Sequence, residues 1–151
     1  MATQIRGYKS ILGKKFGIGA YNQLVSNAID ISPKCADATI TVAAEVGDAR
    51  AITIQLKDAH GNDIDYVEEV ELVLFLTADR LAYVVTGGST GIAIGTDGAL
   101  STVVAKKRFY ATSEADGDID LTWTDTGTEA AFLGLKLPGG RWVMSSALTN
   151  A

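Results

Sequence analysis

The stretch that decides the fold is Ala51 to Thr77, AITIQLKDAHGNDIDYVEEVELVLFLT. Its first part, Ile52 to Lys57, alternates strictly between apolar and polar residues. A turn rich in Asp, Gly and Asn follows, and Val70 to Leu76 then places an apolar residue at every second position. Successive side chains of a strand point to opposite faces of the sheet, so each run predicts a strand with one buried face. Two such strands bury that face only if a second sheet covers it.

Further alternating runs with turn signals between them continue through the chain. We predict additional strands over residues 39–46, 82–86, 92–94, 100–113, 119–123, 133–137 and 141–148. About eight strands at this short spacing, without helical periodicity, favour a β-sandwich with Greek-key connections over a barrel or an α/β fold. Trp123 and Trp142 lie within the strand patterns, which predicts that both belong to the core. The predicted fold class is therefore all-β.

Composition is that of one globular domain, with 151 residues, of which 47% are hydrophobic and 21% charged. Cys35 is the single cysteine, so no internal disulfide can form, which fits assembly in a reducing cytoplasm. The longest uncharged stretch, residues 81–96, is interrupted by Gly, Ser and Thr and is too short for a membrane span. No apolar run of the kind found in secretory signals is visible near the start. We expect a soluble protein.

Charge divides the chain into two predicted parts. Residues 1–34 contain five basic residues and one acidic residue, whereas residues 35–151 contain eight basic and 17 acidic residues. The net charges are thus +4 and −9, in agreement with the total of −5. Residues 1–34 also lack strand alternation and are punctuated by glycines, which predicts a basic N-terminal arm on a sandwich domain of residues 35–151. The arm either docks on an acidic surface, such as a neighbouring copy, or is a solvated tail.

Catalytic candidates are few. His60 is the only histidine. It lies in a turn whose Asp, Gly and Asn residues are explained by turn geometry, so the sequence there does not require a catalytic role. A hydrolase that uses His60 with a Ser or Cys nucleophile is retained as a third hypothesis. Cys35 is predicted to be a small, partly buried residue. We predict no catalytic residue, no cofactor site and no enzyme activity.

Phosphate and metal motifs are incomplete. A phosphate-binding loop would need glycine at Tyr8 and Ser or Thr at Lys15, and the dinucleotide fingerprint ends at Asn22 without a helix pattern after it. The aspartates at 116, 118 and 120 could supply oxygens to calcium, but their spacing favours a solvated acidic turn over a metal site. The basic run at 106–108 is small, no basic-plus-aromatic stripe is visible and the domain is acidic, so nucleic-acid binding is disfavoured.

Two stretches carry a family resemblance. ITIQLKDAHGNDI, residues 52–64, resembles the early strand and turn of bacterial immunoglobulin-like domains of the invasin/intimin type, and ATSEADGDIDLTWTD, residues 111–125, is similar to their second signature. Order and separation of the pair match over residues 39–148. With the basic arm and the closing LPGGRWVMSSAL, residues 137–148, the chain looks most like small virion proteins of tailed bacteriophages. The resemblance implies an immunoglobulin-like β-sandwich with an extended N-terminal arm.

The same resemblance implies a function. It points to a non-enzymatic capsid decoration (cement) protein on the virion surface, assembled in the host cytoplasm. Its expected partners are the major capsid protein and neighbouring copies in a homo-oligomer, for which we expect a trimer, with neither nucleic acid nor membrane involved. The alternative is a head-fibre or tail-associated module that binds host-surface carbohydrate, and exposed aromatic residues would favour it. The residues expected to contact partners are those of the arm: Tyr8, Lys9, Lys14, Lys15, Phe16 and Tyr21.

Overall fold

The computed structural model describes residues 35–151, which form nine β-strands. The predicted arm, residues 1–34, lies outside this described part. Between Cys35 and Ala151 there is no helix that could cross a membrane. The strands are β1 (Asp37–Val42), β2 (Ala49–Lys57), β3 (Glu69–Phe75), β4 (Gly91–Ile94), β5 (Ala99–Val104), β6 (Arg108–Thr112), β7 (Asp118–Thr124), β8 (Phe132–Lys136) and β9 (Trp142–Ala147).

The strands are divided between two antiparallel sheets. A four-stranded sheet has the order β1-β2-β7-β4, and a five-stranded sheet has the order β5-β6-β3-β8-β9. Apolar side chains from both sheets form one core, in which Ile54 of β2, Leu72 of β3 and Leu121 of β7 are buried. Burial of a large aliphatic side chain stabilises the fold by about 1.5–3 kcal/mol. The predicted all-β sandwich is confirmed.

The two alternating runs of the decisive stretch lie in different sheets. β2 pairs with β1 and β7, whereas β3 pairs with β6 and β8. The residues between them, 58–68, therefore cross from one sheet to the other, and the apolar faces of both runs belong to the same core. Each run covers the apolar face that the other exposes.

The prediction of one long strand over residues 100–113 is wrong, because two strands form there. The chain reverses at residues 105–107, so that β5 and β6 form a hairpin. Lys106 has a φ of 61° in this turn, a left-handed conformation that no strand residue adopts. The run of basic side chains at residues 106–108 thus begins in the turn and ends at Arg108 on β6.

The predicted strand over residues 82–86 does not form either. Only an isolated bridge between Phe75 and Tyr83 is present there. The backbone N–H groups of Val85 and Thr86 donate to the carboxylate of Glu129 instead of to a neighbouring strand. A side chain therefore supplies the acceptors that a sheet would otherwise provide.

The two tryptophans have different environments. Trp123 has no exposed surface and lies in the core, as predicted. Trp142 is half-buried and does not belong to the core cluster, so its prediction is wrong. In the register of β8 and β9, Trp142 lies opposite Lys136, on the face of the five-stranded sheet that points away from the core.

Candidate functional site

The outer face of the five-stranded sheet has an unusual apolar layer. Along β3, Val70, Leu72 and Leu74 belong to the core, so Val73 and Phe75 point to the opposite face. These two residues are nevertheless only 4% and 5% exposed. Other side chains must therefore cover them on a face that would ordinarily meet water.

Aromatic rings provide much of this cover. The ring of Phe75 stacks on that of Tyr83, with centroids 5.4 Å apart and planes 19° apart. It also meets Trp142 edge-on at 5.6 Å. Below Phe75 lies Gly134 of β8, where a Cβ atom would be 2.7 Å from the Phe75 ring. Glycine thus makes room for the ring, and Tyr83, which remains 65% exposed, forms the outermost layer.

Two cations contact the Trp142 ring. The Arg80 guanidinium carbon lies 5.5 Å from the ring centre, and the Lys136 ammonium nitrogen lies 5.9 Å from it. Both distances fall within the range of cation–π interactions. Arg80 has a φ of 65°, a conformation rare for residues other than glycine. The tight turn between β3 and Tyr83 thus directs a charged side chain onto the aromatic layer.

Asp79 builds this turn. Its carboxylate accepts a hydrogen bond from the Thr77 hydroxyl at 2.5 Å and another from the Leu81 N–H at 3.2 Å. These hydrogen bonds, the Thr77 one foremost, lower the pKa of Asp79. The carboxylate is therefore engaged within the turn that presents Arg80.

Glu71 is the one acidic residue in this layer. Its carboxylate accepts from Arg108 Nε at 2.5 Å and lies 3.8 Å from Lys136 Nζ. The Glu71 side chain is only 14% exposed, and both cations come from strands adjacent to β3. The hydrogen bond and charge of Glu71 raise the pKa of Arg108. This acid is thus neutralised by its neighbours in the sheet.

Together these side chains line an open groove of about 470 Å³. We call it the aromatic–basic groove. Its size lies in the range of small-molecule sites. Lys107, from the turn between β5 and β6, is a further cation at this groove. The lining residues are Glu71, Val73, Phe75, Tyr83, Val104, Lys107, Arg108, Lys136 and Trp142.

Glu129 fixes the chain that follows Tyr83. Its carboxylate accepts from the backbone N–H groups of Val85, Thr86 and Gly87 at 2.6, 3.0 and 2.9 Å. Burial alone would raise the pKa of Glu129, but the hydrogen bonds from this segment outweigh burial and lower the pKa to about 2. The segment is thereby held in place without strand pairing.

The predicted partner residues fall outside the described part of the chain. These residues are Tyr8, Lys9, Lys14, Lys15, Phe16 and Tyr21. The interface proposed for the arm therefore stays a prediction.

His60 and Cys35 lie in separate regions of the domain. His60 is exposed in the turn after β2, where its backbone N–H donates to the Asp58 carboxylate at 2.8 Å. Cys35 is 1% exposed, and burial, followed by the nearby charges of Glu68 and Asp37, raises the pKa of its thiol to about 11. A buried thiol with a raised pKa is a poor nucleophile. The predicted burial of Cys35 is confirmed and proves to be complete.

The predicted acidic turn lies at the start of β7. Asp118 and Asp120 are half-buried on the outer face of the four-stranded sheet, and Thr53 donates to Asp120 at 3.0 Å. Burial and the charge of Asp120 raise the pKa of Asp118. Within residues 35–151, no three His, Cys, Asp or Glu side chains are grouped so as to hold a metal ion.

The groove was not predicted from the sequence, in which no basic-plus-aromatic stripe could be identified. The structure assembles such a set from separate elements, with Arg80 and Tyr83 from a loop, Lys107 from a turn and Trp142 from β9. One signal was present. In β3, Val73 and Phe75 occupy positions of the alternation where an exposed strand face would carry polar residues.

No protein-family model matches the chain, and no curated protein or solved structure matches it. Function must therefore be inferred from the groove and from the two sequence stretches that carry the resemblance.

Proposed function

We propose that this chain is a non-enzymatic decoration (cement) protein of a bacteriophage capsid, which binds the outer shell and stabilises it. The observation that carries the proposal is the spatial relation of the two stretches that resemble the bacterial immunoglobulin-like signatures. The first contains most of β2 and the second contains β7, and these strands are direct neighbours, with Ile54 opposite Ile119.

The first stretch also contacts the turn of the second. Gln55 Nε2 donates to the Asp116 carbonyl at 2.8 Å, and Leu56 N–H donates to the Gly117 carbonyl at 3.0 Å. A Cβ atom on Gly117 would lie 2.5 Å from Ile64 Cγ1. The glycine of the second stretch is therefore required by the apolar residue that ends the first. Two stretches that form one structural unit support the resemblance better than two separate motifs would.

Strand order supports an immunoglobulin-like Greek key within the sandwich. In such domains strands A, B and E are neighbours in one sheet, and C, F and G are neighbours in the other. β1, β2 and β7 have the first arrangement, and β3, β8 and β9 have the second. β4, which pairs with β7, then has the position of strand D, and β5 and β6 form an additional hairpin between strands D and E.

The proposed attachment uses the basic arm. Its aromatic and basic residues, among them Tyr8, Lys14 and Phe16, would lie across the major capsid protein and neighbouring copies in a trimer. An extended arm gains contact area that a compact sandwich lacks, and apolar burial and charge pairing offset the entropy lost when the arm becomes ordered. The sandwich would then face outward from the virion.

Co-sedimentation with emptied phage capsids that lack the protein tests this function. The full chain should sediment with the shells and saturate at a fixed ratio to the shell subunit, whereas a chain without residues 1–34 should stay in solution. A full chain carrying Lys14→Glu and Lys15→Glu is the matched control for loss of charge without loss of length. Equal binding by the truncated chain would show that the arm does not attach the protein.

A head-fibre or tail-associated module that binds host-surface carbohydrate is the second candidate function. The observation that favours it is the exposed ring of Tyr83, which stacks on Phe75 at the rim of the aromatic–basic groove. Sugar rings commonly bind against aromatic side chains because one face of the sugar is apolar. Binding of the full chain to immobilised glycans tests this function directly.

A further inference from the structure

We infer that the aromatic–basic groove binds an acidic sugar residue, with the sugar ring stacked on Tyr83 and the sugar carboxylate paired with Lys107. The inference rests on the second candidate function, carbohydrate binding, and is independent of capsid decoration. It assigns a ligand class to the groove and a separate role to each of these two residues.

The first role requires a rigid, accessible ring. Tyr83 is 65% exposed although it stacks on Phe75. Phe75 is itself held between Tyr83, Trp142 and Gly134. A ligand that stacks on Tyr83 therefore meets a ring that has already lost much of its rotamer freedom, which reduces the entropic cost of binding.

The second role requires a cation that is not already neutralised. Glu71 engages Arg108 and Lys136 at the groove. Lys107, by contrast, has no carboxylate partner among residues 35–151. Arg80 at the rim contacts the Trp142 ring and also interacts with the charge of the adjacent Asp79. Lys107 is therefore the cation that can pair with a carboxylate that the ligand supplies.

Charge complementarity favours a ligand with an isolated negative charge. The groove and its rim contain Arg80, Lys107, Arg108 and Lys136 against Glu71 and Asp79, a local excess of positive charge in a domain of net charge −9. A single carboxylate gains from the local excess. A long polyanion would also meet the acidic remainder of the domain and be repelled.

The polar groups of the groove suit a sugar better than a nucleic-acid strand. Glu71 supplies carboxylate oxygens, which accept hydrogen bonds from sugar hydroxyls but repel phosphate groups. Proteins that bind single strands generally stack successive bases on several exposed rings. Here Phe75 is only 5% exposed, and Trp142 is already contacted by Arg80 and Lys136. Tyr83 is thus the ring available for one sugar residue.

A glycan array probed with the full chain is the first experiment. The array carries oligosaccharides that end in uronic acid or sialic acid beside their neutral counterparts. We expect binding to acidic members only. The best acidic glycan and its methyl ester are then compared by titration calorimetry in solution. Esterification removes the charge and keeps the ring, and we expect it to weaken binding about tenfold or more.

Variants of the full chain separate the two roles. Tyr83→Ala should weaken binding of the acidic glycan about tenfold, whereas Tyr83→Phe, which keeps the ring, should retain it. Lys107→Gln should weaken binding of the acid about tenfold and leave binding of the methyl ester unchanged. Leu81→Ala is the matched control, because Leu81 is 84% exposed on the same loop but does not line the groove.

Several results would overturn the inference. Equal binding of the acid and its ester, or binding of neutral glycans only, would leave carbohydrate binding in place and exclude the acidic ligand. Full affinity in Tyr83→Ala would move the site away from the groove. Binding of a 15-nucleotide thymidine strand in preference to every glycan would identify a nucleic-acid site. Failure to bind any glycan would remove both the inference and the second candidate function, and capsid co-sedimentation would be unaffected.

Discussion

The two sheets have very different outer faces. On the four-stranded sheet, β2 and β7 expose polar side chains such as Thr53, Asp120 and Thr122 to water. On the five-stranded sheet, the equivalent positions of β3 are the nearly buried Val73 and Phe75. The first face needs no cover. The outer face of the five-stranded sheet is covered by aromatic and basic side chains, which a loop, a turn and an edge strand bring over it.

The difference favours the five-stranded sheet as the face for the ligand that we propose. A polar sheet face gains little from a partner, since water already satisfies it. An apolar layer bordered by cations gains from a ligand that removes the exposed ring of Tyr83 from water and pairs with Lys107. The core gives both sheets their stability, but of the two described sheets the five-stranded one has an apolar layer on its outer face.

Adding a side chain at Gly134 should give the largest difference in the free energy of unfolding between the two outer faces. Gly134→Val places a side chain where Phe75 lies, and Phe75 cannot retreat because Tyr83 stacks on it. We expect a loss of about 1–3 kcal/mol in the free energy of unfolding, measured by urea denaturation. The control is Thr122→Val on the polar face, which should change the free energy by less than about 0.5 kcal/mol.

Equal, small effects of these two substitutions on the free energy of unfolding would contradict tight packing around Phe75. They would mean that Phe75 is free to move and that the groove is not preorganised. If Gly134→Val lost glycan binding without losing stability, the glycine would be needed for the shape of the groove and not for the stability of the fold.

Acid should weaken the loop that carries Tyr83. The pKa of Glu129 is lowered from 4.5 to about 2 in the folded protein, so its stabilising contribution is complete above pH 4.5 and is lost as the pH falls towards 2. We expect Glu129→Gln to cost about 1–2 kcal/mol at pH 7, because neutral acceptors form weaker hydrogen bonds. Urea denaturation at pH 7, 4 and 3 should show that the difference in the free energy of unfolding between the unchanged chain and Glu129→Gln becomes smaller in acid. A difference independent of pH would contradict this role.

The sandwich was predictable from the sequence because its signals are local. Alternation in β2 and β7, the glycine-containing turns and the lack of helical periodicity each act within a few residues, and a core between two sheets is the common solution for such strands. One error arose where a distant residue decides the outcome. The segment 82–86 has the composition of a strand, but the N–H groups of Val85 and Thr86 donate to the Glu129 carboxylate.

The groove was less predictable for the same physical reason. Trp142 alternates correctly for a core residue, and only the pairing of β8 with β9 determines that it faces outward beside Lys136. Arg80 reaches Trp142 through a left-handed turn that its own residue type does not favour. Pairing register and turn geometry are tertiary properties, so a single sequence could indicate the layer only through Val73 and Phe75 in β3.

On the polar face, removing one charge should stabilise the protein slightly. Burial and the neighbouring Asp120 raise the pKa of Asp118, so ionised Asp118 destabilises the folded state and this cost disappears as the pH falls through the raised pKa. Asp118→Asn should therefore gain about 0.2–0.5 kcal/mol at pH 7 and nothing in acid. A destabilised variant at pH 7 would show that the charge of Asp118 has a favourable partner.

Arg80 offers the smallest effect on stability and the sharpest comparison. Arg80→Gly removes the cation–π contact with Trp142, worth about 0.5–1 kcal/mol, and relieves a left-handed conformation that costs a similar amount. We expect a net change below about 0.5 kcal/mol in urea denaturation. Arg80→Ala loses the contact and keeps the strain, so it should be the less stable of the two variants. If Arg80→Gly were less stable than Arg80→Ala, the turn would not be strained. An arginine at this position would then be explained by stability alone. The expected order would show that glycine suits this turn better than other residues do, and that the cation–π contact of Arg80 offsets the cost of its conformation.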